Sequence, residues 1–264
     1  MEELYYTDIE GKQHFVHEHI PDEVRSIPFI FINPLFDEKK RSQKFYANTA
    51  RKFSKHGVPV IRFDYYGTGD SDGQLHEMNF RRSLNAIKVL IDQTLKKYQT
   101  NSVNLLGIRF GADLALKFAA EHQEYIHKLV LIEPIVIGTR YIKEQRLRRK
   151  IFQKLHKMVL NLDDTMIDGV AFEDHQGYPI SRDNLSFFED LNSLNLKLSG
   201  ITALLFKLDT MSSRKTIPKL AQVLEQKNDV HLVHLKCNDF WSILEPVDTK
   251  ELSNDVVTKT MEIE

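Results

Sequence analysis

The run Gly107-Ile108-Arg109-Phe110-Gly111 keeps the Gly-x-Ser-x-Gly spacing of a nucleophile turn, with arginine at the position from which serine would attack. Two glycines four residues apart permit a sharp strand-to-helix corner and a close helix approach, so the middle residue stands on the corner. A guanidinium stays protonated at any ordinary pH and cannot attack a carbonyl, which excludes standard serine catalysis from this position. The helix starting near Phe110 aims free N–H groups at the same point, and the Phe110 amide is one natural oxyanion donor. The loop Asn33-Pro34-Leu35-Phe36 would supply the second. An anion hole is therefore expected to outlast the nucleophile.

A cation at a helix N-terminus is electrostatically misplaced, by roughly 0.3–1 kcal/mol when exposed and by more when buried. Arg109 is thus expected to recruit a carboxylate. The acid of a serine relay would follow the apolar run 201–206, where Asp209 stands, and the histidine would follow the last strand, where Cys237-Asn238-Asp239-Phe240-Trp241 offers none. The triad positions then read Arg109, Asp209 and Asp239, an ion-paired cluster in place of a proton relay, with Glu133 or Glu38 as alternative partners. The expected ligand-binding set is Leu35, Phe36, Glu38, Arg109, Phe110, Glu133, His175 and Trp241. His231 and His234 fall in a strand and His122 and His127 bracket a turn, so they read as structural. His175, in the turn-rich run Asp174-His175-Gln176-Gly177-Tyr178, is placed to overhang the pocket. Ser42 and Ser71 occupy no strained turn beside a base, which an activated serine requires.

Such a corner needs a parallel sheet beneath it. Short apolar runs at 28–32, 58–63, 103–106 and 129–132 are separated by helix-length segments, the rhythm of a parallel α/β sheet. Phe45, Ala47, Ala50 and Phe53 form one intervening apolar stripe, closed by Gly57; Leu84, Ile87, Leu90, Ile91 and Leu95 form another. Ahead of them, 4–7 and 13–17 flank Asp8-Ile9-Glu10-Gly11 as an antiparallel hairpin at the sheet edge. The strand rhythm lapses over 138–199, and runs at 201–206 and 230–235, with a segment from about 248, restore it. The expectation is one α/β core from 1–137 and 200–264, with 138–199 inserted as a helical cap. Residues 139–157 hold eight Lys or Arg and one acid, a solvated face or a surface for an anionic substrate or a protein partner.

Bulk composition narrows the classes. In 264 residues, 36 basic and 37 acidic side chains nearly cancel, which gives no field for steering nucleic acid or an anionic membrane. Cys237 is the only cysteine, so no intrachain disulfide can form, and a reducing cytoplasm is the expected compartment. The first six residues lack the basic start and apolar run of a signal peptide, and no stretch reaches membrane-spanning length. No paired His or Cys spacing is read as a metal site and the acids are dispersed, so neither metal nor cofactor is expected. The glycine-rich run 63–73 lacks the Lys-Ser/Thr ending of a phosphate loop and reads as a turn braced by Asp64 and Asp70.

That same Asp64-Tyr65-Tyr66-Gly67-Thr68-Gly69-Asp70-Ser71 stretch resembles the D-x-x-G-x-G-x-S signature of α/β-hydrolases. Asn33-Pro34-Leu35-Phe36-Asp37-Glu38 with Arg41-Ser42, the Gly-x-Arg-x-Gly elbow, Glu133-Pro134-Ile135-Val136, Gly177-Tyr178-Pro179-Ile180-Ser181 and Phe240-Trp241 follow in order. Together they resemble the second of two hydrolase-like proteins associated with exosortase A and exopolysaccharide gene clusters. Asn33 departs from that family's first proline and Leu35 from its phenylalanine. The resemblance implies an α/β-hydrolase fold with a mostly parallel central sheet, an N-terminal antiparallel hairpin and a helical cap. It also implies an elbow arginine and a Phe240-Trp241 segment in place of the histidine loop. Three functions fit. The first is a degenerate hydrolase binding an anionic or acyl small molecule. The second is an active hydrolase or acyltransferase on an ester, such as one carried by an exported polysaccharide. The third is a scaffold in which Arg109 is a structural ion pair above an occluded pocket.

Overall fold

Strands β3 (Phe29–Ile32), β5 (Val103–Ile108) and β6 (Ile126–Ile132) are buried almost throughout, because they lie at the centre of a sheet covered on both faces. The computed structural model describes residues 1–155, 165–175, 177–208, 215–237, 239–241 and 247–263. Around those three strands pack β1 (Glu2–Ile9), β2 (Lys12–His19), β4 (Val60–Phe63), β10 (Thr202–Leu208) and β11 (Asp229–Leu235). The eight-stranded order is β1-β2-β4-β3-β5-β6-β10-β11. The β1–β2 and β2–β4 pairs are antiparallel, and every later pair is parallel. The expected edge hairpin and parallel core are both present.

Alternation along the strands builds two cores. Phe29 and Phe31 point to the face covered by α1 (Phe36–Lys55) and α7 (Lys250–Glu262), where Phe45, Phe53, Trp241 and Val256 join them. Ile30 and Ile32 point to the other face, under α2 (Phe80–Tyr98), α3 (Phe110–Glu121) and α6 (Thr216–Leu224). Helix α1 ends as its sequence indicates, with Gly57 at φ 81° just past it. Among the described residues no helix is long and apolar enough to cross a membrane.

Between β6 and β10 the chain forms a cap-like region from α4 (Gly138–Leu155) and α5 (Arg182–Asp190). It also carries a small antiparallel sheet, β7 (Thr165–Ile167), β8 (Val170–Asp174) and β9 (Pro179–Ile180), that the helical reading of this stretch omits. These strands are too short to show a period. The signal was the turn Asp168-Gly169, both residues at positive φ, a dipeptide that favours two-residue hairpins. The basic run 139–157 is not one continuous free face either. Arg146 is held by Glu173 at 2.6 and 2.7 Å, and Arg149 is buried, while Lys157 lies outside the described residues.

One buried carboxylate ties the cap region to the core. Asp113 on α3 accepts from the Ile135 N–H at 2.6 Å, the Val136 N–H at 2.9 Å and the Ser193 hydroxyl at 2.6 Å. Burial pushes its pKa up to about 6, although all three hydrogen bonds oppose the shift.

Candidate functional site

Strand β5 delivers the chain to Arg109 at φ 55° and ψ −124°, and α3 begins at the next residue. That is a strained conformation for a residue with a Cβ, of the kind that active-site corners hold. The flanking glycines make it geometrically available. A Cβ on Gly107 would lie 2.4 Å from the Gly111 backbone, and one on Gly111 would lie 2.1 Å from the Ile32 carbonyl oxygen. Tyr46 closes the ends of β3 and β5 by donating to the Ile32 carbonyl at 2.8 Å and accepting from the Ile108 N–H at 3.1 Å.

The Arg109 side chain is 1% exposed. Its Nε donates to Glu38 Oε1 at 3.2 Å and its Nη1 to the Glu133 carbonyl at 3.3 Å. The guanidinium carbon lies 5.8 Å from the Tyr141 ring centre and 5.6 Å from that of Trp241, so two aromatic faces add to its surroundings. Burial works to lower the Arg109 pKa, but Glu38, Tyr141 and Glu133 together outweigh it and hold the guanidinium charged. Burial raises the pKa of Glu133, and Arg109 and the Leu208 N–H work against that rise. Burial, reinforced by the Glu38 carboxylate, also raises the Tyr141 phenol.

Of the carboxylates weighed from sequence, Glu38 contacts the guanidinium directly, through Arg109 Nε. Glu133 reaches Arg109 through its backbone and charge, and its Oε1 accepts instead from the Leu208 N–H at 2.8 Å. Asp209 lies outside the described residues, as do Gln176 and Asn238. Asp239 acts electrostatically on Glu133. Glu38 has a simple local reason for its place: it sits in the first turn of α1, where the helix dipole favours an anion. Among the described residues, Glu38 Oε2, Glu133 Oε2, the Tyr141 hydroxyl and Trp241 Nε1 are buried without a hydrogen-bond partner.

A cavity of about 310 Å³ opens beside this cluster, lined by Arg109, Ile135, Arg140, Tyr141, Glu144 and Lys215. Leu35 and Phe36 border a different cavity of about 320 Å³, shared with Tyr65, Met78 and Tyr178. His175 belongs on that side: its ring lies parallel to Phe36 at 6.3 Å and its Nε2 is 2.7 Å from Glu173. Burial lowers the His175 pKa, against the pull of Glu173. The Phe110 ring packs with Phe80 and Phe188 in the core, which leaves its backbone amide as its means of meeting a ligand. Ser71 is structural, donating to the Asp64 carbonyl at 2.8 Å and accepting from the Phe15 N–H at 2.9 Å. Asp64 braces its turn through the Asp70 N–H and a 2.6 Å ion pair with Lys39, whereas Asp70 contributes its backbone N–H. Tyr141, Arg140 and Lys215 escape sequence reasoning because nothing in a helix's polar pattern marks which cation turns toward a cavity.

A family model described as serine aminopeptidase, S33, matches residues 40–185. Comparison with curated proteins finds no match. Among solved structures, the ferulic-acid-bound Est1E from Butyrivibrio proteoclasticus superposes with a TM-score of 0.72 at 15% identity, covering 98% of each chain. An enol-lactonase from Burkholderia xenovorans LB400 gives 0.62 at 17%, with 98% of each chain covered. An alpha-beta serine hydrolase homologue from Coxiella burnetii gives 0.58 at 13%, with 97% of this chain and 96% of that one covered. At these identities the likeness shows the fold.

Proposed function

Because the chain belongs to the serine aminopeptidase S33 family of α/β-hydrolases, we propose that it keeps an esterase-type scaffold and uses the elbow to hold an anionic or acyl small molecule without hydrolysing it. The observation that carries this reading is Arg109 in the nucleophile's backbone conformation, bordering a cavity that Arg140 and Lys215 also line. The chain also contains no histidine after His234, so a base in the usual late loop is missing from its composition. Glu38 and the Glu133 carbonyl fix the plane of the guanidinium, which leaves its remaining N–H groups for a ligand carboxylate. Arg140 and Lys215 outnumber Glu144 at the cavity wall and favour an anion over a neutral ester. A cavity of about 310 Å³ suits a small ligand and speaks against the scaffold reading with its occluded pocket. The motifs shared with exosortase-associated hydrolase-like proteins make an acyl precursor of an exported polysaccharide a natural ligand, and the lone Cys237 suits action in the cytoplasm.

The experiment has two arms. Fluorophosphonate labelling and p-nitrophenyl ester turnover are both expected to be absent, and calorimetry with a series of monocarboxylates is expected to show saturable binding weakened about tenfold by Arg140→Ala or Lys215→Ala. Stoichiometric labelling or turnover by the wild-type chain would establish the active hydrolase or acyltransferase instead.

A further inference from the structure

At the other end of the sheet, β2 presents His17 and His19 two residues apart and therefore on one face. Glu2 on β1 is the cross-strand partner of His19. His17 pairs in register with Arg62 and His19 with Val60 at the amino end of β4, so this face lies opposite the end of the sheet that carries the elbow. His17 Nε2 is 2.8 Å from Glu2 Oε2, and His19 Nδ1 is 3.7 Å from Glu2 Oε1. The two imidazoles stack with centres 4.3 Å apart and planes 20° apart. One donor atom from each of the three side chains falls within 4.8 Å of the others.

We propose that Glu2, His17 and His19 form a binding site for a divalent transition-metal ion of the Zn²⁺ class. Two imidazole nitrogens and one carboxylate oxygen are a donor set that such ions prefer over Mg²⁺ or Ca²⁺. Ligands at about 2.1 Å in tetrahedral geometry stand about 3.4 Å apart, so donor atoms now within 4.8 Å of one another draw together by side-chain rotation when an ion binds. The independent sign of a missing ligand is His19. It is 1% exposed, and among the described residues neither of its ring nitrogens has a hydrogen-bond partner. An imidazole sealed away with both nitrogens idle is unfavourable, and a metal–nitrogen bond relieves it.

Two cations compete. Arg51 Nε holds Glu2 Oε1 at 2.7 Å and its Nη2 lies 3.4 Å from Oε2, while Arg62 Nη1 lies 3.4 Å from His17 Nδ1. The ion must displace Arg51 from one carboxylate oxygen, so removing Arg51 strengthens the site. A merely structural histidine pair has no such dependence.

The test is calorimetric titration of the full chain with Zn²⁺, together with the visible absorption of the Co²⁺ form, in a Cys237→Ser background that removes the single thiol. One ion per chain is expected. His17→Gln and His19→Ala should each weaken binding at least about tenfold, and Arg51→Gln should tighten it. His17 is partly exposed and its replacement spares the core, so it remains informative if His19→Ala fails to fold. Absence of saturable binding, binding that survives loss of His17, or unchanged or weaker affinity in Arg51→Gln would overturn the site.

Discussion

Arg109 and Glu38 meet at 3.2 Å through Nε and Oε1, with side chains only 1% and 5% exposed, so the elbow is locked to the first turn of α1 by a buried ion pair. Removing one partner strands the other charge. Glu38→Ala is expected to cost about 3–5 kcal/mol, and replacing both residues together with apolar ones is expected to restore much of it. Urea midpoints of the two single variants and the double variant close this cycle; additive losses would show that the pair is not coupled.

Arg109→Ser would return a hydroxyl to the strained corner, yet it supplies no base to activate it. The variant is expected to turn over p-nitrophenyl acetate no faster than the wild type, because the sequence has no histidine beyond His234. Stopped-flow release of p-nitrophenolate checks this, and an acyl-enzyme burst would reveal a base elsewhere in the chain.

Asp113 sets a pH signature. Its pKa is raised from 3.8 to about 6 in the folded protein, so the unfolded chain releases this proton first as pH rises. The stability contributed by the group is present in full below about pH 4, falls as pH climbs through 6, and is level beyond. Asp113→Asn lacks this slope. It also turns one of the two acceptor oxygens into an NH2 group, leaving at least one of the three donors facing another donor, which is expected to cost about 1–3 kcal/mol. Denaturation midpoints from pH 4 to pH 7 should show the wild type losing stability relative to the variant across this window.

Gly111→Ala tests the joint between β3 and α3. The new methyl would sit 2.1 Å from a backbone carbonyl that no rotamer change can move, so the helix must shift away. A loss of roughly 3 kcal/mol or more is expected, the upper range for overpacking. Ala at Gly169, where nothing lies within 4 Å, is the comparison: its cost is confined to backbone strain at φ 78°.

Much of this molecule was legible in its sequence because the signals were local and strong. Apolar runs too short for helices, such as 103–106, needed two covered faces, and the glycines of the elbow fixed where α3 starts. The partner of Arg109 was less legible. Chain order of a relay pointed to Asp209 and Asp239; Asp209 lies outside the described residues, and the contact the structure describes is with Glu38, which reaches the corner from a helix 71 residues upstream. Distance along the chain does not rank carboxylates; the register of β3 beside β5 does. His17-x-His19 went unread as a metal pair because its third donor comes from across a hairpin, and only the pairing of β1 with β2 places Glu2 there. The two cavities could not be told apart in sequence, since Leu35 and Phe36 adjoin Glu38 in the chain yet line a different space from Arg109.

The left-handed twist of the backbone at residue 109 has a cost of about 1–3 kcal/mol, and here no attacking oxygen collects any return on it. What enforces the bend is the squeeze of Gly111 against Ile32, a matter of how a helix seats on neighbouring strands. The hinge is therefore masonry before it is chemistry: the bend rests on how a helix is seated, and the side chain mounted on it can be changed without re-laying a single course beneath it.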